Sequence, residues 1–380
     1  MEVRVLNELE IMKNFAANLR MRRKALHLTQ KEFGDLVGYS EKTVSKWENA
    51  AAVAPSVVLP LLASVLKVTV DDLFREGSTP LYYLGIHGGG ASTEFLLTDL
   101  NGKQICHLTM EGCNPVDVGL ARTFEVLEDG ICKVCAGCQL SEVSVFAGLS
   151  GGLTGDHKER ISSFLKRFGF ATYDNGGSLD MALPVLGDGD GVIVIVGTGS
   201  IAYVRHGSTI RRIGGYGYLF GDSGGDHSIG RAAIRCALEA EACGNESNVL
   251  LKKVRKLCDT PRVEDSLKKF YLGGKSLIAS YAPLVFEAYR EGDAEAEDIL
   301  RATAVAIAKM IIRGQGMFSG RVVPTVIVGN LIKRNSILLS MIEDFLPKQY
   351  VSRLTINERS LIWGALQMAG LPESCVGVES

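Results

Sequence analysis

The sequence lacks the features of a membrane or secreted protein. No apolar run reaches the roughly 18 residues of a membrane span, and the start, MEVRVLNELE, has no signal-peptide apolar segment. The 9 cysteines are odd in number and irregularly spaced, which argues against a disulfide framework. Positive charge is not in excess either, since 41 basic residues face 43 acidic ones. We therefore expect a soluble cytoplasmic protein with no membrane partner.

The chain is long enough for more than one domain. With 380 residues, 46% of them hydrophobic, two or three compact units are expected. Signals are helical up to about residue 76, whereas strands and glycine turns alternate with helices from Leu81 onward. The stretch EGSTP between them has the composition of a linker, because glycine loosens the backbone and proline stops a helix. We predict a helical domain at 1–76 and a linker at 77–80.

The larger part of the chain predicts an α/β sheet fold. Residues 81–95 run from a strand through three glycines into a second strand, and residues 192–215 repeat this pattern, with a further tight turn near Gly207. This recurrence indicates a duplicated domain. Asn101-Gly102 is typical of a two-residue hairpin turn. The apolar runs expected to form strands, which helical segments separate, are LYYLGI, TEFLLTDL, VSVFAGL, GVIVIVG and VPTVIVG.

Two late segments predict helices that end at glycines. They are SLIASYAPLVFEAYREG and DAEAEDILRATAVAIAKMIIRG, and the second opens with an aspartate cap.

Residues 28–49 predict two short helices joined at Gly38. Thr29 and Glu32 have the spacing of a capping box, and Ser40 can cap the second helix. The residues expected on the packed side are Phe33, Leu36, Val37, Val44 and Trp47.

This segment resembles the lambda-repressor-like helix-turn-helix family over about residues 11–75, through its LTQ opening and its WEN close. In that family the second helix enters the major groove, so the resemblance implies binding to double-stranded DNA, usually as a homodimer on two half-sites. Between Arg20 and Lys46, 7 basic residues against 3 acidic ones agree with this. A protein-interaction domain with solvated basic residues is the alternative. The implied contacts to bases or phosphates are Arg22, Arg23, Gln30, Ser40, Glu41, Lys42, Thr43 and Lys46.

Residues 81 to about 370 resemble the BadF/BadG/BcrA/BcrD ATPase family, which includes N-acetylglucosamine kinases. The anchors are GIHGGG, GLSGG, YDNGGSLDMA, GTGS, GGYGYLFGDSGG and SYAPLVFEAYREGDAEAEDIL. The resemblance implies two ribonuclease-H-like α/β lobes of the sugar kinase and actin type, which close over a cleft. We place the lobes at 81–188 and 189–357, with a C-terminal helix at 358–370 that returns to the first lobe.

The resemblance implies an ATP site at the glycine turns. Glycine turns bring backbone N–H groups close to phosphate oxygens, because no side chain intervenes. The implied ATP phosphate-binding residues are Gly88, Gly89, Gly90, Thr93, Gly197, Thr198, Gly199, Ser200 and Gly329.

Several residues at this site depart from the family pattern. The family usually carries an acidic residue at position 87 that helps to hold Mg²⁺, and the imidazole of His87 is a poor substitute because Mg²⁺ prefers oxygen ligands. The family's Thr and Lys after the glycines are Ala91 and Ser92, and its late Gly-Gly is Gly329-Asn330. We therefore expect ATP and Mg²⁺ to bind weakly.

The residues that the family uses to bind a sugar match its pattern more closely than those of the ATP site do. Asp174 matches the family's catalytic base, which accepts the proton of the attacking sugar hydroxyl. Singly, each such residue has an ordinary alternative as a turn, a cap or a packing residue. Ser223 replaces the family's glutamate, which leaves pocket selectivity open. The implied sugar-binding residues are Asn114, Asp174, Gly215, Tyr216, Gly217, Tyr218 and Asp222.

Three cysteines, Cys132, Cys135 and Cys138, have the spacing of one side of a helix. A metal would need a fourth ligand, and no matching Cys-Gly signature is present. We expect buried thiols, no metal site and no iron-sulfur cluster.

Three functions follow as hypotheses. The first is a DNA-binding transcriptional regulator whose kinase-like domain senses an amino sugar or sugar phosphate, with weakened or absent phosphotransfer. The second is an active N-acetylglucosamine or glucosamine kinase that carries a DNA-binding head. The third, an ATP-driven electron-transfer activator, requires the cluster that we do not expect.

Overall fold

The computed structural model describes residues 8–26, 28–74, 80–187 and 189–375. Most of the predicted linker at 77–80 lies outside these residues. Among the described residues, the model contains no helix with the length and apolar character needed to cross a bilayer.

The N-terminal part, which we call the head, is all-helical. The second helix begins with a capping box between Thr29 and Glu32, the turn after it is left-handed at Gly38 (φ 76°), and Ser40 caps the third helix, as predicted. Leu36 was wrongly placed in the core and is 57% exposed, because the buried face is centred on Phe33, Gly34 and Val37. The helices are α1 (Glu8–Ala25), α2 (Gln30–Val37), α3 (Glu41–Glu48), α4 (Leu59–Leu66) and α5 (Val70–Phe74).

Lobe I contains a 5-stranded sheet in the order β3-β2-β1-β4-β5. The first three strands are antiparallel, and β4 and β5 continue the sheet in parallel. The predicted hairpin at Asn101-Gly102 is present, but its turn is wider than two residues because the Asp99 carboxylate accepts the N–H groups of Asn101 and Lys103. The strands are β1 (Tyr82–Gly88), β2 (Ser92–Asp99), β3 (Gln104–Glu111), β4 (Val143–Leu149) and β5 (Thr172–Gly176).

Lobe II repeats this topology in a second 5-stranded sheet, in the order β10-β9-β6-β7-β8. Here too an antiparallel meander of three strands is extended by two parallel strands. The duplication predicted from the two glycine hairpins is therefore confirmed. The strands are β6 (Gly191–Val196), β7 (Ser200–His206), β8 (Thr209–Gly214), β9 (Thr325–Val328) and β10 (Leu354–Ile356).

Helices cover the sheets and join the lobes. The predicted long helix with an Asp293 cap is present, whereas the segment before it is broken near Ser280 into two helices. The helices are α6 (Pro115–Val134), α7 (His157–Lys166), α8 (Ser178–Leu186), α9 (Asp226–Ala242), α10 (Val249–Cys258), α11 (Leu267–Ala279), α12 (Ala282–Arg290), α13 (Ala294–Gln315), α14 (Asn330–Arg334), α15 (Ser336–Asp344), α16 (Lys348–Val351) and α17 (Ile362–Met368).

The two lobes share a core between their sheets. Met181 of α8 and Leu366 of α17 are buried in one cluster with Tyr83 of β1 and Ile193 of β6. Gly85 allows this packing, since a β-carbon there would lie 2.9 Å from the carbonyl oxygen of Ile362. The C-terminal helix thus packs directly on β1, the strand that leads to the first glycine turn.

Candidate functional site

The two glycine turns meet between the lobes. The first turn, Gly88–Gly90, begins at the last residue of β1, and the second, Gly197–Ser200, ends at the first residue of β7. A β-carbon at Gly90 would lie 3.4 Å from Cγ2 of Thr198, which is van der Waals contact. The structure therefore brings the two predicted phosphate-binding turns together.

Two other predicted phosphate contacts have different outcomes. Thr93 is fully buried, and its hydroxyl donates to the carbonyl oxygen of Glu111 at 2.7 Å. This placement contradicts a phosphate contact, because the hydroxyl is used inside the sheet. Gly329 lies beside the second turn, where a β-carbon would be 1.9 Å from the carbonyl oxygen of Val196. Only glycine permits that approach.

His87 lies next to a carboxylate on the neighbouring strand. It is in register with Glu94 of β2, and its Nδ1 is 3.9 Å from Oε2 of Glu94. Ser360 donates to the same carboxylate at 2.7 Å, and Nε2 of His107 lies 3.1 Å from its Oε1. Burial would raise the pKa of Glu94, but the contacts with His87, Ser360 and His107 lower it to about 2. A carboxylate is thus present beside position 87, but side chains of the protein already engage it.

Asn114 is the N-cap of α6 at the edge of the cleft. Its Oδ1 accepts the N–H of Val116 at 3.0 Å, and its Nδ2 donates to Oδ2 of Asp117 at 2.8 Å. The loop after β4 lies against it, since a β-carbon at Gly151 would be 2.3 Å from Oδ1 of Asn114. Asn114 is buried and caps α6. This geometry agrees both with an ordinary helix cap and with a residue that binds a sugar.

Asp174 lies on β5, on the other side of that loop. Its side chain is exposed, and Oδ1 accepts the N–H of Asn175 at 2.8 Å. A β-carbon at Gly152 would be 3.2 Å from the carbonyl oxygen of Gly176, so the loop after β4 packs on the end of this strand. An exposed carboxylate on this strand can accept a proton from a bound hydroxyl. Its role as catalytic base remains a prediction.

The loop after β8 is open to solvent. Tyr216 and Tyr218 are both exposed, and Arg212 lies over the ring of Tyr216 at 4.8 Å. Gly215 and Gly217 have φ of 68° and 81°, which favours glycine at these positions. An exposed aromatic loop beside a cleft is consistent with a sugar contact, which stays a prediction for all four residues.

Asp222, at the end of this loop, is placed differently from the tyrosines. It is buried, and its Oδ2 lies 3.0 Å from Nζ of Lys275, on α11. Its Oδ1 accepts the N–H of Ser200 in the second glycine turn at 3.3 Å. The carboxylate is thus paired with Lys275 and with the second glycine turn, and it is not free to contact a sugar. We did not predict Lys275, because a single lysine inside a helical segment carries no motif.

Asp226 begins α9 next to the second turn, and its N–H donates to the carbonyl oxygen of Gly197 at 2.9 Å. Burial raises the pKa of its carboxyl from 3.8 to about 6, and Arg334 offsets part of the effect. The neutral carboxyl therefore makes its full contribution to stability below about pH 4. This contribution is lost as the pH rises through about 6, because the buried carboxyl then becomes charged.

We expect Asp226→Asn to increase the free energy of unfolding at pH 7.5 by on the order of 1–2 kcal/mol, with no gain below pH 4. Urea unfolding at both pH values measures the difference. Burial lowers the pKa of the neighbouring His227 to about 4, so this residue makes the stability fall as the pH decreases. The wild-type protein and the variant share this effect, which therefore cancels in the comparison. Asp298→Asn, exposed on α13, is the matched control. An equal gain at both pH values would contradict the assignment.

Several residues that were predicted to contact DNA lie on α3 or at its N-terminus. Glu41, Lys42 and Lys46 are exposed, and the hydroxyls of Ser40 and Thr43 lie 2.9 Å apart at the N-terminus of the helix. These side chains form one polar surface, and their contact with bases or phosphates remains a prediction.

Arg22 and Arg23 were predicted to contact the DNA backbone. The structure contradicts this prediction, because both side chains are buried. Arg22 is 1% exposed and lies next to Tyr83 of lobe I, which offsets part of the lowering of its pKa by burial. Arg23 forms two hydrogen bonds with Glu48, at 2.6 and 2.9 Å, and Gln30 donates to the same carboxylate at 2.8 Å. These residues hold the head together and join it to lobe I in this structure.

The three cysteines do not line one side of a helix, because α6 ends at Val134, before Cys138. Cys132 is exposed, Cys135 is buried and Cys138 is half-buried. Burial raises the pKa of Cys135 to about 12. Within the described ranges, no group of three or more His, Cys, Asp or Glu residues is arranged to hold a metal ion.

Sequence comparison finds relatives that are named as sugar kinases. The chain is 27% identical over 284 residues to an N-acetylmuramic acid/N-acetylglucosamine kinase of Clostridium acetobutylicum, which covers 71% of this chain and 91% of that protein. It is 26% identical over 300 residues to an N-acetyl-D-glucosamine kinase of Dictyostelium discoideum, covering 72% and 93% of the two chains.

Solved structures share the fold. A Chromobacterium violaceum protein provisionally named an N-acetylglucosamine kinase matches with a TM-score of 0.62 and 22% identity, covering 76% of this chain and 99% of that one. A ROK family glucokinase from Streptomyces griseus, in complex with glucose and AMPPNP, matches with a TM-score of 0.51 and 16% identity over 76% and 98% of the two chains.

Both resemblances stated from the sequence are confirmed. Residues 19–73 match a helix-turn-helix domain, and residues 84–366 match the family of the larger part. The chain therefore belongs to the BadF/BadG/BcrA/BcrD ATPase family and joins its kinase-like domain to a helix-turn-helix domain.

Proposed function

We propose that this protein is a transcriptional regulator whose kinase-like domain binds an amino sugar or its phosphate and transfers phosphate weakly or not at all. It acts in the cytoplasm on double-stranded DNA, as a homodimer. The observation that carries the proposal is the path of β1. Tyr83 near its start lies next to Arg22 of the head, and His87 and Gly88 at its end enter the first glycine turn. One strand therefore runs from the neighbourhood of the head to the cleft.

An amino sugar is the proposed ligand because the two curated relatives act on N-acetylglucosamine or N-acetylmuramic acid by name. Asn114 and Asp174 lie on the two sides of the loop after β4, where a hydroxylated ligand would meet an amide and a carboxylate. A ligand held between two lobes shifts the balance between open and closed states only through its different affinity for them. Movement of β1 would pass that shift to the head.

Weak phosphotransfer is proposed from the ATP side of the cleft. His87 replaces the acidic residue expected to help hold Mg²⁺, and the neighbouring Glu94 is engaged by Ser360 and His107. The hydroxyl of Thr93 is used in the sheet. These features remove ligands and charge from the place where Mg-ATP would be positioned.

An active amino-sugar kinase is the second candidate. It is favoured by the exposed carboxylate of Asp174 and by the contact between the two glycine turns. Phosphoryl transfer depends largely on positioning and on charge stabilisation, so intact turns could support it.

One experiment separates the two candidates. Purified protein is incubated with Mg-ATP and a panel of amino sugars while ADP release is followed, and its affinity for DNA selected from a random library is measured with and without each sugar. We expect a sugar-dependent change in DNA affinity and ADP release far below the roughly 1 to 100 per second of typical kinases. Turnover in that range without any effect on DNA binding would establish the kinase instead.

The DNA-binding face is tested by Lys42→Ala. We expect DNA affinity to fall at least about fivefold with a changed base preference, because Lys42 is exposed on the predicted recognition helix. Lys31→Ala, exposed on α2, is the control and should change affinity less. Unaltered binding by Lys42→Ala in a titration at fixed salt would contradict the assignment of α3 to the major groove.

A further inference from the structure

A buried ion pair in the cleft connects α11 to the second glycine turn. Lys275 and Asp222 are both more than nine-tenths buried, and Nζ lies 3.0 Å from Oδ2. Burying such a pair costs desolvation free energy that the ion pair alone seldom recovers. A buried lysine beside anion-binding backbone groups therefore calls for a role beyond stability.

The carboxylate of Asp222 lies where a bound anion would contact the second glycine turn. Its Oδ1 accepts the N–H of Ser200, and a β-carbon at Gly199 would lie 2.5 Å from its Oδ2. The carboxylate thus lies directly on the glycine turn and also faces the ammonium group of Lys275. A phosphate oxygen would find the same two donors, a backbone N–H and a lysine.

The backbone around the pair indicates that this arrangement is held against local preference. Asp222 has φ of 61°, a left-handed conformation that costs on the order of 1 kcal/mol for residues other than glycine. Gly274, just before Lys275, interrupts α11 with φ 57° and ψ −153°, a combination that essentially only glycine adopts. The interruption lets Lys275 reach the cleft from a helix that is otherwise exposed there.

The same segment reaches the first glycine turn. Ser276, next to Lys275, donates its hydroxyl hydrogen bond to the carbonyl oxygen of Gly90. Lys275 also lowers the pKa of Asp117 on lobe I, although burial of that carboxyl dominates and raises it. Lys275 therefore lies where both turns meet, since Ser276 contacts Gly90 and Asp222 contacts the second turn.

We propose that Lys275 binds a phosphate group between the two glycine turns, and that Asp222 occupies Lys275 until that group displaces it. The site rests on the proposed function for its ligand class, which is the phosphate of an amino-sugar phosphate or of a nucleotide. Release of Asp222 frees the loop that carries Tyr216 and Tyr218, while the Ser276 contact carries the change to lobe I.

The test measures binding by calorimetry to full-length protein. The probes are pyrophosphate, ATP, N-acetylglucosamine 6-phosphate and N-acetylglucosamine, each with and without Mg²⁺. The variants are Lys275→Met, Lys275→Arg and Asp222→Asn, the last of which tolerates the left-handed backbone. Lys268→Met, exposed on α11, is the matched control. Thermal unfolding verifies that each variant is folded.

We expect Lys275→Met to weaken the binding of the phosphate-bearing probes about 10- to 100-fold, in line with the loss of a charged hydrogen bond. The affinity for N-acetylglucosamine should not change. Lys275→Arg should retain most of the affinity. Asp222→Asn should tighten the phosphate probes severalfold, because the competing anion is gone. Whether ATP or the sugar phosphate shows these changes identifies the source of the phosphate.

A purely structural ion pair predicts a different pattern. Both Lys275→Met and Asp222→Asn would then shift phosphate affinity in the same direction, and that result would overturn the proposal. Absence of phosphate binding by the wild-type protein would also overturn it. If pyrophosphate binding follows the expected pattern while no sugar alters DNA affinity, the phosphate site stands and the regulator function fails.

Discussion

Arg23→Ala is expected to destabilise the head by about 3–5 kcal/mol and to abolish DNA binding at the temperatures used for binding assays. The reason is the position of its partner. The side chain of Glu48 is 1% exposed and accepts from both Arg23 and Gln30, so loss of Arg23 leaves a buried charge without its main cation. Arg23 also donates to the carbonyl oxygen of Leu28, which fixes the connection between α1 and α2.

Unfolding of the head can be followed by tryptophan fluorescence. Trp47 is buried in the head core, and the second of the two tryptophans, Trp363, can be replaced by phenylalanine to isolate the signal. Lys24→Ala, exposed on the same helix, is the control. The double variant Arg23→Met with Glu48→Met should recover much of the stability and the DNA binding. If Arg23→Ala leaves the head stable but removes DNA binding, Arg23 is a phosphate contact, as the sequence first indicated.

The second large effect is expected at Arg22. Its Nε and Nη1 have no hydrogen-bond partner among the described residues, and burial lowers the pKa of its guanidinium, while Tyr83 and Asp72 act in the opposite direction. We therefore expect Arg22→Met, which has a similar volume, to raise the stability of the protein by about 1–4 kcal/mol. DNA affinity at saturating sugar should not fall, whereas the sugar-dependent change in affinity should shrink with the loss of the charge beside Tyr83.

Salt titration of DNA binding provides the decisive readout for this variant. A DNA phosphate contact would lower the slope of log affinity against log salt by about 1 when Arg22 is replaced. We expect an unchanged slope for Arg22→Met. Arg20→Met, exposed on the same helix, controls for the general loss of positive charge. A lower stability together with a lower slope would show that Arg22 leaves its buried position to contact DNA.

Local sequence patterns were sufficient for the elements and for the order of the motifs. The capping box at Thr29, the left-handed turn at Gly38 and the cap at Asp293 depend on neighbours within a few residues, so the sequence predicts them well. The glycine turns are equally local, and the repeated hairpins indicated the duplicated lobes. Leu36 shows the limit of this reasoning, since the direction of the buried face depended on where Gly34 packs against Tyr39.

The sequence did not show which individual side chains are used in hydrogen bonds and ion pairs within the protein. Thr93 and Asp222 occur in the expected motifs, but one hydroxyl is used by β3 and one carboxylate by a lysine 53 residues away. Ser360 engages Glu94 across a separation of 266 residues, which no local pattern encodes. Partners from distant elements determine whether a group is free for a ligand.

By itself, the sequence determined a helix-turn-helix head, two α/β lobes and a pair of glycine turns, because backbone conformation follows from nearby residues and their periodicity. Only the tertiary structure decided that Arg22 and Arg23 are buried and that Lys275 enters the cleft beside Asp222. The physical reason is that burial and charge pairing depend on which surfaces meet after folding, and the free energy of a charged group changes more with those surroundings than with its neighbours along the chain.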